Sequence, residues 1–346
     1  MIRINKHIEI VRSSTSKLSS MSKESSGAIY KVLIKHYSNV GISTVNNLED
    51  LERLVNCRPD LVFLGMKFIY IDLGLPLLSK IWVSKYLDDE NIVYTGSNKS
   101  AHRLEYNKHL AKQRMFNSGI KTSPFYIIKR NETQKKYNKF LKFPLFVKPT
   151  NLRGGMGINS QSVVHNVKDL YLKVNSISNT LNSDVLVEEY LPGREFSVAI
   201  LKDKYSKRLG VMPIELTTTP DKNGAKLLSR KIKSSNSECV TEVTDQVIKS
   251  EIIKLSINAF NALGARDYGR IDIRLDKKGV PHFLEANLIP SLIDNYGSFP
   301  KACMLNINLG YEEMIMGIVK LAFIRDLEMK NTITQIFNRS NNLIAE

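Results

Sequence analysis

GRIDIRLDKKGVPHFLEAN, Gly269 to Asn287, is the stretch on which the fold turns. Two alternating runs flank the turn-forming tetrapeptide Asp276-Lys277-Lys278-Gly279, which predicts an antiparallel hairpin. With residues 276–279 as the turn, Leu275 faces Val280, Arg270 faces Glu285 and Asp272 faces Phe283. Side chains alternate between the two faces of a strand. Arg270, Asp272, Glu285 and Asn287 therefore share one face, and Ile271, Ile273, Leu275, Leu284 and Ala286 share the other. Two carboxylates and an amide carbonyl beside a guanidinium make an all-oxygen donor set, which suits Mg²⁺ and not zinc. The bland alternative is a solvated face carrying one ion pair.

Three upstream segments weigh against that alternative. In PTNLRGGMGI (Pro149 to Ile158), Gly154, Gly155 and Gly157 follow a strand that ends in Lys148. Glycines let backbone N–H groups approach phosphate oxygens, and a nearby lysine adds positive charge. The spacing matches neither GxxxxGK[ST] nor GxGxxG, so a Walker ATPase and a Rossmann dinucleotide site are both unsupported. In VLVEEYLPGREF, an extended strand runs into Pro192-Gly193; its backbone groups can pair with an adenine edge, and Glu195 is placed to accept from ribose hydroxyls. Read alone, this segment is an ordinary hairpin. Lysine strand, glycine loop, Glu-Glu strand and Asp/Glu/Asn hairpin nevertheless occur in one order along the chain.

The rest of the chain reads as a globular protein of several layers. At 346 residues it has room for two or three domains with a cleft between them. A hydrophobic content of 42% with 24% charged residues excludes intrinsic disorder. The first hundred residues alternate strand-like pieces (His7 to Val11, Asp60 to Met66) with helix-like ones, Ser22 being an N-cap candidate, which means a parallel sheet flanked by helices. Residues 76–87 are expected to be helical, as are Ser100 to Ser118 before Gly119 and Asp245 to Leu263 before Gly264. The tail from about Asn331 is polar and is expected to fray at its end.

Fifty Lys and Arg against 34 Asp and Glu leave a formal charge of +16. Lysines are spread over the whole length, tryptophan occurs once and no zinc-finger or RNP-like pattern appears, so no nucleic-acid partner is expected. The most apolar stretch, Leu61 to Val83, is interrupted by Lys67, Asp72, Pro76 and Lys80, so no membrane partner is expected either. The N-terminus lacks a continuous apolar signal region, which implies a cytoplasmic address. Cys57, Cys239 and Cys303 are too far apart for a CxxC site and are expected to be buried, reduced thiols.

Taken together, the motifs resemble those of the ATP-grasp ligases, and within that superfamily the chain is similar to D-alanine–D-alanine ligases, over roughly Val93 to Leu321 and more weakly before it. YTGS (Tyr94 to Ser97) with Asn107-Lys108 resembles their YTGS…DK segment, LPGREFSVAIL their hinge and following strand, NGAKLL their AKY segment, and GRIDIRLD…FLEAN their paired metal strands. The resemblance implies an α/β chain with an N-terminal parallel-sheet (preATP-grasp) domain over residues 1–98, ATP-grasp subdomains over 99–188 and 189–330, and a tail over 331–346. ATP would lie between the two subdomains.

Residue by residue, the resemblance implies that Lys108 and Lys148 bind ATP phosphates while the loop through Gly154, Gly155 and Gly157 closes over them. Glu188, Glu189 and Leu191 would hold adenine, the last two through backbone groups, and Glu195 ribose. Lys226 would reach the γ-phosphate. Asp272, Glu285 and Asn287 would hold two Mg²⁺ ions, or Mn²⁺, with Glu285 bridging them. Arg270 would stabilise the transferring phosphoryl group or the oxyanion, with Ser291 near the oxyanion position and Ser298 matching a serine that meets the acceptor carboxylate. The implied reaction joins a carboxylate and an amine through an acyl phosphate, as in making a dipeptide for the cell wall, and dimers are common in the family.

Departures fall on the substrate side. The family's first-strand glutamate, which meets a substrate amino group, has Lys17 or Leu18 about where it would stand. The loop serines are replaced within Arg153-Gly154-Gly155-Met156-Gly157, the tyrosine after the AK pair by Leu227, and an HG pair has Met66-Lys67 in its neighbourhood. Loss of the glutamate removes a counter-charge for a substrate ammonium, and Lys67 or Arg153 is a candidate partner for an additional carboxylate or phosphate. Three functions follow: a ligase of the D-alanine–D-alanine type, a ligase for another amino acid, peptide or secondary-metabolite acceptor, and a non-catalytic basic binding protein on the same fold.

Overall fold

The structure, a computed structural model, describes residues 2–15, 18–71, 79–132, 137–152, 155–203, 206, 208–219 and 238–344. At the N-terminus, strands β1 (Ile4–Arg12), β2 (Tyr37–Thr44) and β3 (Leu61–Leu64) form a parallel sheet in the order β2-β1-β3. Helix α1 (Lys23–His36) connects the first two, and Ser22 caps it by accepting the Ser25 N–H, as its position before the apolar period predicts.

Residues 76–87 depart from the expected helix. Ser79–Trp82 is strand β5, paired antiparallel with β4 (Phe68–Ile71), and the helix begins only at Val83 and runs to Asp89. Local propensity loses here to cross-strand packing. Trp82 and Tyr106 stack edge-on against Phe68, and the Lys80 ammonium lies 4.3 Å from the Tyr106 ring centre.

Two antiparallel sheets follow. One has the order β6-β9-β7-β8 and contains β6 (Phe125–Ile128), β7 (Leu145–Pro149), β8 (Val163–Val164) and β9 (Val185–Glu189). The other has the order β12-β11-β10-β13-β14 and contains β10 (Glu195–Lys202), β11 (Leu209–Thr217), β12 (Cys239–Glu242), β13 (Tyr268–Leu275) and β14 (Pro281–Asn287). β9 and β10 thus lie in different sheets, so the Pro192-Gly193 pair is a crossing between layers and not a hairpin turn. Gly193 passes so close to β13 that a Cβ there would stand 2.6 Å from the Leu275 carbonyl oxygen, to which its own N–H donates at 3.0 Å. Gly193→Ala should therefore lower stability by about 1–3 kcal/mol through overpacking. An unchanged urea midpoint would contradict that close approach.

The predicted helix over Ser100 to Ser118 is two helices, Lys99–Tyr106 and Lys108–Asn117, broken at Asn107, so that Lys108 opens the second. The Asp245 to Leu263 segment is a helix over Gln246–Ala262, capped by Asp245. Ile252, Ala259 and Phe260 of that helix pack on Val198, Ile271, Ile273 and Phe283 of the five-stranded sheet. On its other side Ala199, Met212 and Tyr268 share one apolar cluster with Ile8, Ile10 and Phe63 of the N-terminal sheet and with residues 299–322. That shared core fixes the parallel sheet against the end of the cleft. The chain from Tyr311 is helical through Ile344, well past Asn331, and the last two residues, where fraying is expected, lie outside the described residues. Cys303 is buried and unpaired as expected, but Cys57 and Cys239 are exposed. Among the described residues, no helix is long and apolar enough to cross a membrane.

Candidate functional site

The β13–β14 pair has a register that differs from the alternation reading. Arg270 faces Asn287 and Asp272 faces Glu285; the ladder then slips, and Ile273 faces Phe283. The turn is longer than four residues because the Asp276 carboxylate accepts from the N–H groups of Lys278 (2.8 Å) and Val280 (2.9 Å), drawing Val280 into it. The extra residue in β14 is a bulge. It buries Phe283 in the core face and turns Leu284, expected on that face, toward the cleft. The consequence is chemical: two carboxylates meet across the pair instead of standing diagonally.

Asp272 is 6% exposed and its oxygens accept from Arg270 Nε (2.9 Å), Arg270 Nη2 (2.8 Å) and Ser197 Oγ (2.9 Å). Burial disfavours the Arg270 guanidinium, but Asp272, with Glu285 and Glu195, more than offsets this and raises its pKa. Glu285 stands 3.7 Å from the Lys108 ammonium, which also donates to the Leu152 carbonyl at 2.5 Å. Among the described residues no group of three or more His, Cys, Asp or Glu side chains gathers to hold a metal, so the donor set here is two carboxylates plus the Asn287 amide.

Lys148, at the end of β7, reaches Glu188 Oε1 at 2.6 Å, while Lys112 reaches Glu188 Oε2 at 2.8 Å. Lys112 is fully buried and also donates to Thr122 Oγ1 (2.6 Å) and Ser123 Oγ (2.9 Å). Burial alone would raise the Glu188 pKa, but the two ammonium groups hold it down to about 2. Burial lowers the Lys112 pKa, whereas Glu188 and Glu285 carry Lys148 upward against its own desolvation. The Glu188 carboxylate, expected at adenine, is thus held between two cations at the wall of the cavity it lines.

Between the two antiparallel sheets lies a cavity of about 650 Å³, its open mouth included. Lys148, Glu188 and Glu189 line it from one sheet, Glu195, Asp272 and Glu285 from the other, and Leu191 from the crossing between them. Phe146, Ile158, Tyr190 and Leu284 supply apolar walls. Glu195 is held by Arg274 Nη1 at 3.1 Å, and Arg274 also donates to the Gly193 carbonyl and the Tyr190 hydroxyl, each at 3.2 Å.

Not every expected residue gathers there. Lys67 is 1% exposed and its ammonium pairs with the buried Glu105, so it is turned into the protein and does not line the cavity. Leu18 is packed in an apolar cluster with Met66 and Phe68. Ser298 opens the helix Ser298–Ile307, and the Ser291 carbonyl lies under Gly297; neither side chain lines the cavity. Gly155 and Gly157 are described, whereas Arg153, Gly154 and Lys226 lie outside the described residues.

Sequence reasoning missed Lys112, Ser197 and Arg274. Lys112 was accessible as the residue one helical turn beyond Lys108, and Arg274 as the next residue on the Asp272 face. Ser197 had no local signal, because it meets Asp272 only through the β10–β13 pairing.

Comparisons with known proteins bear on the family and the fold. Residues 115–320 match the family model described as the D-ala D-ala ligase C-terminus. The chain is 31% identical over 244 residues to an uncharacterised protein of Sinorhizobium fredii, covering 69% of each. It is 26% identical over 243 residues to a D-alanine–D-alanine ligase of Hydrogenovibrio crunogenus, covering 69% of this chain and 72% of that one. Its fold superposes on a Bacillus anthracis D-alanine–D-alanine ligase complexed with ATP with a TM-score of 0.73 at 19% identity, covering 94% of this chain and 99% of that one.

Proposed function

Because the chain belongs to the D-alanine–D-alanine ligase family and has its ATP-grasp fold, we propose that its cavity binds ATP and that it joins a carboxylate to an amine with release of ADP and phosphate. The observation that carries this reading is the bulged pairing of Asp272 with Glu285 at a cavity whose opposite wall presents Lys148. In it, Lys108 and Lys148 bind phosphates, Glu189 and Leu191 offer backbone groups to adenine, and Glu195, held by Arg274, accepts from ribose. Gly155 and Gly157, with Gly154, form the covering loop; Lys226 meets the γ-phosphate, and Ser291 and Ser298 stand on the substrate side.

The donor set Asp272, Glu285 and Asn287 fits a hard divalent cation, since every atom offered is oxygen. Mg²⁺, or Mn²⁺ with similar preferences, bound there supplies the positive charge that lets two anionic substrates meet. Arg270, now clamped on Asp272, is the residue assigned to charge developing on the transferred phosphoryl group. A substrate carboxylate oxygen attacks the γ-phosphorus as the bond to ADP breaks. The amine, having lost a proton, then attacks the acyl carbon and phosphate leaves. Water must be kept from the acyl phosphate, which is the use of a covering loop.

The amino acid is a separate matter. Where the family carries a glutamate for the substrate ammonium, this chain has Lys17, which lies outside the described residues, or Leu18, which is buried among apolar side chains; neither is an acid, which favours an acceptor or donor other than D-alanine: another amino acid, a peptide or a secondary metabolite. A cell-wall dipeptide is the alternative. ATP as substrate places the reaction in the cytoplasm. ADP release screened over single D- and L-amino acids and their pairs tests both points. Turnover is expected to need a component besides D-alanine, and robust turnover with D-alanine as the only amino acid would overturn that preference.

A further inference from the structure

We propose that Lys173 is a positioning residue for nucleotide binding: from the helix Val167–Leu181 behind the glycine-rich turn, it grips the residues on both sides of Ile158 and so holds that side chain in the wall of the cavity. The inference rests on the reading of the cavity as a nucleotide site. Lys173 Nζ lies 2.9 Å from the Gly157 carbonyl oxygen and 2.8 Å from Asn159 Oδ1. Ile158, between those two acceptors, lines the cavity. An ammonium has three donors and no acceptor, so one side chain can hold two neighbouring oxygens at once.

The local packing leaves this short segment little other freedom. Gly157 has φ +79°, and a Cβ on it would come within 2.8 Å of Pro149 and 2.9 Å of Leu181, so the turn is seated between the end of β7 and the end of the helix. Asn159 caps residues 160–162, accepting from the Gln161 N–H while its own N–H donates to Ser162 Oγ. The Ile158 N–H donates to the Gly155 carbonyl at 3.0 Å. Each of these contacts ties the turn to itself or packs it against its neighbours; Lys173 gives it a polar anchor in the helix.

A lysine is a costly choice for packing alone. Lys173 is only 5% exposed, and the oxygens it reaches among the described residues are uncharged. Burial pushes its pKa down to about 8, which is the mark of a cation held in place without a counter-ion. Methionine or leucine would fill the same space at no such cost, so the donors themselves are what the position uses.

Calorimetric titration of the full-length protein with Mg²⁺ and the non-hydrolysable analogue β,γ-imido-ATP tests the assignment. Lys173→Met removes both hydrogen bonds and should weaken analogue binding about tenfold, the effect of one charge-assisted hydrogen bond. Lys173→Arg keeps N–H donors and should stay within about threefold of wild type. In steady state the loss should fall on KM for ATP, with kcat and the KM values of the amino acids little changed. Should Lys173→Met prove insoluble, Lys173→Gln asks the same question. Binding by the neutral variant as tight as wild type, even with a lowered melting temperature, would overturn the proposal and leave Lys173 a packing residue. A wild-type protein that binds no analogue would remove the nucleotide reading and this inference together, whereas tight wild-type binding with an insensitive variant removes this inference alone.

Discussion

Replacing Glu285 with Gln is expected to lower ATP-dependent ADP formation by at least roughly 10³-fold, several kcal/mol of transition-state stabilisation at 1.36 kcal/mol per tenfold. The substitution keeps the shape of the side chain and removes its charge. Glu285 faces Asp272 across the strand pair and stands 3.7 Å from Lys108, so it adjoins both a second proposed metal ligand and a cation proposed for phosphate. Its side chain is 34% exposed, and the fold should tolerate the change. A melting temperature close to wild type with activity lost is the expected pair of results. Turnover unaffected by Glu285→Gln would remove the metal assignment.

Glu188→Gln should act on the fold itself. Lys112 and Lys148 both direct their ammonium groups at that one carboxylate, and all three side chains are buried. Removing one member of a buried ion cluster leaves the rest uncompensated, which costs roughly 3–5 kcal/mol. Chemical denaturation of the variant measures this, and a loss below about 1 kcal/mol, the scale of an exposed pair, would contradict the enclosed geometry. The same group predicts an acid limb. Its folded pKa is depressed to about 2, below the roughly 4.3 of an unfolded glutamate. Its contribution is therefore present above the unfolded value and is lost as pH falls from there toward 2. Wild-type stability should fall through that window, and the Gln variant should lack this part of the slope.

The sequence was most legible where chemistry and periodicity coincide. Alternation in GRIDIRL and HFLEAN brought Arg270, Asp272, Glu285 and Asn287 to one face, and they are found there. The register escaped because it depends on the Asp276 side chain binding two backbone N–H groups, and on a bulge that exchanges Phe283 and Leu284 between faces. VLVEEYLPGREF reads as a hairpin on turn chemistry alone. Only its partners in space, β7 for one strand and β13 for the other, show that it joins two layers and opens a cleft between them.

Charge was the least legible property. Lys67 reads in sequence as a candidate cation for the substrate, yet Glu105 draws it into the interior. Glu188 reads in sequence as an adenine contact, and nothing near it announces that Lys112 and Lys148 both pair with its carboxylate. In both cases the deciding partner is distant in sequence and on another element, where neither spacing nor alternation carries information. The same holds for Lys173, whose two acceptors belong to the glycine-rich turn.

The central claim is that this cavity couples ATP cleavage to joining a carboxylate and an amine. Mass spectrometry of a reaction containing the protein, ATP, Mg²⁺ and a mixture of D- and L-amino acids tests it most directly. The account predicts a new species with the mass of two components less one water, formed in step with ADP. Formation of AMP in place of ADP, or no nucleotide cleavage with any mixture, would contradict it.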